Sequence, residues 1–421
     1  MKESKMLYYT PVKLLLYLVS GLTLLRSVFR GISDYDSYRT AGILIFNEIQ
    51  GLDSRLAYDP NWGSFGSRSG NGPIWNIFLA PFQLLPFTPA IIIVRLIVIF
   101  VAIILVMYFV NKYRVEQEKF NILFFILLLF PFRFLFNTSQ GASIAYAIGC
   151  LAIMLSLKSK LYLYHYILIG FSLTLCLNYK PHLFLPLIVW FLANRKFKIL
   201  LSILLSGLMS ELLLILVAPN STQIAWGYYL LARSKSIDAN SELELKYAPL
   251  AFFYDSLNAN TLMIYIISGL FLLLYFIYFS KLEFRFETGI IALCLGVFIG
   301  PYSPTHDQIM LALVYGIVLF NHTRSKKLSI FWLIPLILWI YPSEFTILKF
   351  IILVFLYNLI LVPFFTKSLI YRFNALLFVI TVVVYKYLST DVIYQITGLA
   401  ALFILPLLKQ FYSLNRQIKN L

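Results

Sequence analysis

The stretch TPAIIIVRLIVIFVAIILVMYFV, residues 88–110, decides the fold class. Its only charge is Arg95. As an α-helix it is about 34 Å long, enough for the roughly 30 Å hydrocarbon core of a bilayer. A helix that is apolar on every side is buried in protein or faces lipid. Comparable runs lie at 12–29, 120–136, 139–157, 162–179, 181–193, 199–217 and 261–279, and then at 288–301, 307–320, 328–341, 345–365, 370–388 and 392–408. They predict an all-α, polytopic transmembrane helical bundle of about 12 to 14 spans, several of them shorter than the ~20 residues a crossing needs.

Composition agrees. Of 421 residues, 61% are hydrophobic and 12% charged, against roughly 45–50% and 25% in a soluble domain. The net charge of +16 comes from Lys and Arg in short clusters between apolar runs, not from a basic domain. Such clusters set topology, so no nucleic-acid partner is expected. With Lys2, Lys5 and Lys13 inside, the clusters at Lys112/Arg114/Lys119, Lys158/Lys160, Arg195/Lys196/Lys198, Lys281/Arg285, Arg324/Lys326/Lys327 and Lys367/Arg372 fall on the same side, with Lys409, Arg416 and Lys419. That side is the cytoplasm. The expectation is a multi-pass protein of the plasma (inner) membrane with both termini cytoplasmic. Loops 30–72 and 218–260 then face outward, as does the proposed active site.

Parity has a consequence. Only one crossing fits between loop 30–72 and Lys112, so segment 73–87, with Pro81 and Pro86, is predicted to be a helix in the outer interface. The N-terminal apolar run lacks a small-x-small cleavage pattern and reads as a retained helix, not a signal peptide. Cys150, Cys176 and Cys294 sit in apolar runs without metal spacing, so neither a disulfide framework nor a zinc site is expected.

This topology gathers polar residues at the outer ends of the spans. Asp34 and Asp36 follow the first. Arg95 lies near the start of 88–110 and Arg133 near the end of 120–136. Asn137, Ser139 and Gln140 occupy the turn NTSQGA, and Lys180 and His182 the turn NYKPH. Tyr302, Ser303, His306 and Asp307 occupy GPYSPTHDQ. A carboxylate can take a proton from an acceptor hydroxyl. Cations can hold a lipid phosphate, and amides and hydroxyls a sugar. Glu211, inside a span, reads as a helix–helix hydrogen bond. The second outer loop, with Trp226, Tyr228 and Tyr229, is the candidate for acceptor contact.

Five places in this pattern resemble the GT-C superfamily of membrane glycosyltransferases, and glycosyltransferase family 87 most of all. Asp34-Tyr35-Asp36-Ser37-Tyr38 is similar to the family's Asp-x-x-x-Tyr after the first helix. Tyr58-Asp59 and the Pro73 to Pro86 segment resemble its aromatic-proline run, loosened here to Ser-Gly-Asn-Gly-Pro-Ile-Trp. Ser139-Gln140-Gly141 resembles its Gly-Gln turn with the order altered. Lys180-Pro181 resembles its Lys-Pro turn, and Ser303-Pro304-Thr305-His306-Asp307 a late motif. The resemblance runs in order through residues 12 to 320.

It implies a catalytic transmembrane module at 1–320, followed by C-terminal transmembrane helices at 321–421. The activity implied is transfer of a sugar, mannose or another hexose, from a polyprenyl-phosphate-linked donor to a lipid or glycan acceptor within membrane lipid, with inversion. Asp34 is the general base, and Asp36 competes for that role. Lys180, Arg95 and Arg133 are expected at the donor phosphate. Tyr38, Gln140, His182, His306 and Asp307 are expected at the sugar or acceptor. No cofactor and no metal is expected. A transporter or flippase of a lipid-linked saccharide, or an O-antigen-type polysaccharide polymerase, is the alternative.

Overall fold

The structure is a computed structural model. It describes residues 48–49, 72–78, 81, 85, 87–113, 122–123, 126–127, 129, 131–132, 135–136, 141–223, 226, 249–250, 261–299, 305–324, 335, 339 and 400–413. The expected spans 12–29, 345–365 and 370–388, most of 328–341, about half of 120–136 and the first eight residues of 392–408 lie outside them.

Among the described residues the chain forms helices and no strands. A short helix, α1 (Pro73–Phe78), precedes the long α2 (Phe87–Lys112). Then come α3 (Ala142–Ser156), α4 (Leu163–Tyr179), α5 (Pro181–Ala193) and α6 (Phe197–Val217). After these follow α7 (Thr261–Ser280) and α8 (Phe286–Leu295), which tightens into a 3₁₀ turn at Gly296–Phe298. A second 3₁₀ turn, Thr305–Gln308, leads into α9 (Ile309–Arg324). The last described helix is α10 (Ala400–Ser413). α9 runs through position 320, so the expected module boundary falls inside a helix.

Each of these helices lies within an apolar run read from the sequence or overlaps one. Among the described residues, three helical stretches are long and apolar enough to cross a membrane: Thr88–Lys112, Phe197–Val217 and Leu262–Ser280. The other apolar helices have 10–17 residues. The breaks have local causes. Lys180 precedes Pro181, and a residue before proline is driven from the helical to the extended region. Lys180 is accordingly extended, at φ −150° and ψ 99°, and Pro181 opens α5 at a position where its missing N–H is not needed.

α4 and α5 are central to the packing. α3 and α6 lie along α4, while α7 and α8 lie along α5. α6 packs on α4 at Gly170, where a Cβ would stand 2.5 Å from the Ser202 carbonyl oxygen. The turn after α8 approaches the start of α5 at Gly296, where any Cβ would run into the Leu183 carbonyl. The faces of α6 and α7 turned from the core stay apolar and exposed, including Leu205, Met209, Leu216, Leu262, Ile266 and Leu273. In water such faces would be costly, while lipid accepts them.

Segment 73–87 opens on the short helix α1, whose first turn is packed inside the structure. Pro73, Ile74, Trp75 and Asn76 are buried against the C-terminal end of α4. Parity excludes a crossing here without saying which neighbour takes the apolar face.

Candidate functional site

The contacts of Lys180 and Tyr146 with Asp307 bring the C-terminus of α4 and the N-termini of α3, α5 and α9 to one end of the structure. Lys180 stands at the α4–α5 break, and Asp307 in the 3₁₀ turn before α9. Lys180 Nζ donates to Asp307 Oδ2 at 2.8 Å. Both side chains are buried. A buried ammonium or carboxylate is tolerable when paired and hydrogen-bonded. Tyr146, one turn into α3, donates its hydroxyl to the Asp307 backbone carbonyl at 2.7 Å, which fixes the turn that carries the carboxylate. Lys180 Nζ also lies 5.5 Å from the centre of the Tyr179 ring.

A second set of contacts adjoins the first. Asn178 accepts at its backbone carbonyl from Gly72 N–H (2.6 Å) and at Oδ1 from Ile74 N–H (3.3 Å). It donates through Nδ2 to the Thr174 carbonyl at 3.2 Å. Asn178 thus fixes Gly72 through its backbone and, through its side chain, satisfies an N–H in the first turn of α1 that has no partner within its own helix. Trp75, fully buried, packs on Tyr179 with ring centres 4.7 Å apart. Its other side faces Gly141, at the N-cap of α3.

Arg95 is buried in α2, one turn before Val98, whose carbonyl accepts the Ser143 hydroxyl at 3.0 Å. That places it at the level of the α3 N-terminus. His182 is half-buried in the first turn of α5. His306 lies in the turn Thr305–Gln308, and its side chain falls outside the described residues. Asp34, Asp36, Tyr38, Arg133 and Gln140 lie outside them too. Of the expected site residues, the structure brings Lys180 and Asp307 into direct contact. Their expected parts at a donor phosphate and at a sugar were assigned separately, whereas here each is the other's counter-ion.

Sequence reasoning passed over Trp75, Tyr146, Asn178 and Tyr179. The signal for two of them was present, since Asn178 and Tyr179 precede Lys180 in the same polar turn.

Beyond α6 the chain turns into a short helical stretch at residues 219–223. Glu48, from segment 30–72, accepts there from Asn220 N–H (Oε1, 2.9 Å) and Ser221 N–H (Oε2, 2.6 Å). Burial would raise its pKa, but the hydrogen bonds from Ser221 and Asn220 outweigh it and hold the carboxyl below the ordinary range. Trp226 Nε1 donates to Glu211 Oε2 at 2.8 Å, so the carboxylate inside α6 is held from beyond the end of its own helix.

No family model, no curated protein and no solved structure matches the chain.

Proposed function

We propose that the chain is a polytopic glycosyltransferase of the GT-C type in the plasma (inner) membrane. It transfers a sugar from a polyprenyl-phosphate-linked donor to a lipid or glycan acceptor on the extracytoplasmic face. One observation carries the reading. Parts of four stretches that resemble family motifs, Gly72–Trp75, Gly141, Lys180 and Asp307, are joined at a single end of the helices directly or through Asn178 and Tyr179, the two residues before Lys180. These stretches are far apart in sequence.

In this reading Asp34 or Asp36 takes the proton of the acceptor hydroxyl as that oxygen attacks the anomeric carbon. The bond to the donor phosphate breaks on the opposite face, giving inversion. Negative charge grows on the departing phosphate, and Lys180, Arg95 and Arg133 supply cationic groups for it. The ion pair refines the role of Lys180. Its ammonium is already compensated, so a phosphate arriving there shares Lys180 with Asp307 rather than meeting an isolated charge. The spans not long enough to cross alone complete the bundle in pairs at the broken ends, where irregular backbone is tolerated if it lines a cavity.

The test is transfer in membranes supplied with radiolabelled polyprenyl-phosphate sugars. Asp34→Asn and Asp36→Asn are compared with the parent chain, and donor binding is measured in parallel. Loss of transfer with donor binding retained in one variant supports the reading and names the base. Undiminished transfer in both removes the base. Movement of lipid-linked sugar across vesicles without a new glycosidic bond would replace the enzyme with a transporter.

A further inference from the structure

The opposite end of the helices carries an arrangement that plays no part in the proposed reaction. It centres on Phe284-Arg285-Phe286, just before and at the start of α8. Arg285 is extended, at φ −150° and ψ 171°, so its side chain projects opposite to those of its neighbours. Phe284 stacks on Trp190, ring centres 4.4 Å apart, and Lys196 Nζ lies 4.3 Å from its ring centre. Lys112 Nζ lies 3.8 Å from the centre of the Phe286 ring. Arg285 itself lies over the Tyr412 ring at 4.0 Å. Cations from the ends of α2 and α5 and from the start of α8 are thus laid on aromatic faces within one short segment.

The guanidinium of Arg285 is incompletely used. Nη1 is 3.5 Å from Glu283 Oε2, a carboxylate whose side chain is 61% exposed. Nε and Nη2 are buried and have no hydrogen-bond partner among the described residues. The N–H groups of these two nitrogens point from the same edge of the guanidinium. That edge is the fork which takes two oxygens of a carboxylate or phosphate at once. Removing charged donors from water without giving them an acceptor is unfavourable. The other buried acid here, Glu287, accepts from the Tyr113 hydroxyl at 3.0 Å.

We infer that Arg285 anchors a binding site for a phosphate oxyanion. The phosphate replaces the exposed Glu283 carboxylate and engages the Nε/Nη2 fork as the guanidinium turns on the Tyr412 ring. The Arg285 side chain is 19% exposed, so this edge is reached from the surface by a side-chain movement. Phosphate is favoured over a carboxylate because the cations placed around this segment, Lys112, Lys196 and Arg285, outnumber its acids, Glu283 and Glu287. The phosphate can be that of an anionic lipid headgroup or a free ion. The site does not depend on the activity proposed for the other end.

The test uses the full chain purified in neutral detergent, with thermal unfolding followed as lipid or salt is titrated in. Phosphatidylglycerol is compared with phosphatidylcholine, and inorganic phosphate with chloride at equal ionic strength. The parent chain, Arg285→Lys, Arg285→Met and Glu283→Gln are compared. The expected result is that phosphatidylglycerol or inorganic phosphate stabilises the parent chain and Glu283→Gln beyond their controls. Arg285→Lys keeps the charge but loses the fork, and needs about tenfold more of the same ligand for half the effect. Stabilisation by inorganic phosphate assigns a free ion, and stabilisation by phosphatidylglycerol alone assigns a lipid headgroup. Equal stabilisation of the parent chain and Arg285→Lys overturns the inference, as does a parent chain that neither ligand stabilises beyond its control. If Arg285→Met does not fold, Arg285→Lys still decides.

Discussion

Trp75 occupies the space into which a side chain at Gly141 would project. A Cβ built on Gly141 would stand 2.5 Å from Cζ2 of Trp75. Trp75 has little room to yield, because it is fully buried and packs against Tyr179. Gly141→Ala is therefore an overpacking change, expected to cost about 1–3 kcal/mol. Unfolding in detergent should show it as a lowered midpoint. Combining Gly141→Ala with Trp75→Phe, which trims the clashing ring, should recover part of the loss. Additive losses would show that the two residues do not share this contact.

The Lys180–Asp307 pair gives a sharper test, because its cost is asymmetric. Removing one partner leaves the other charge buried without its counter-ion, which typically costs about 3–5 kcal/mol. Lys180→Met and Asp307→Asn should each destabilise strongly. The double variant should be more stable than the sum of the two losses requires, since no charge is then stranded. A double-mutant cycle on unfolding midpoints measures the coupling. The same pair predicts activity. If Lys180 serves the donor phosphate, Asp307→Asn should change transfer even where the fold is intact, because it alters the charge the phosphate meets.

The helices were legible because an apolar run signals itself locally. Residues 88–110 and 199–217 need no knowledge of their neighbours to be read as spans, and Pro181 marks the α4–α5 break in the same local way. What was not legible is pairing. Lys180 and Asp307 were both singled out, yet nothing in either stretch says that one neutralises the other. Glu287 sits beside a basic cluster read only as topology, but it is buried and bound to Tyr113. Glu211 was read as a helix–helix hydrogen bond, and its partner is Trp226, beyond the end of α6. Contacts of this kind depend on which helix ends meet, and hydropathy along the chain carries no record of that.

Asn178 ties the end of segment 30–72 to the turn that carries Lys180. Asn178→Ala removes the acceptor for Ile74 N–H and the donor to Thr174. Loss of a capping acceptor costs about 0.5–2 kcal/mol. Its local consequence should exceed its global one, because α1 is only one turn and a half long and has few other anchors. Hydrogen exchange at Gly72 to Phe78 should accelerate in this variant while exchange in α4 stays protected. Asn178→Asp should behave differently. It keeps the acceptor for Ile74 but places a charge near Lys180, so exchange at α1 should stay slow.

The Glu48 contact makes the tie between segments 30–72 and 218–260 dependent on pH, and the sign follows from its lowered pKa. The folded state holds the carboxylate ionised through the Asn220 and Ser221 N–H groups, while the unfolded chain has an ordinary carboxyl. The contribution is therefore fully present above the unfolded pKa and is lost as pH falls through the lower folded value, in a window below about pH 4. Above that window the contact persists and stability owed to it should not vary with pH. Proteolysis of segment 218–260 in sealed, correctly oriented vesicles offers a direct readout. In the parent chain, cleavage between residues 224 and 260 should rise on acidification through the window. Glu48→Gln has no proton to gain and accepts with only one oxygen, so its cleavage should be raised at neutral pH and should change little on acidification. Identical pH profiles for the two chains would show that Glu48 does not link the loops. A Glu48→Asp chain, one methylene shorter, should fall between them if the reach to Asn220 and Ser221 is what matters.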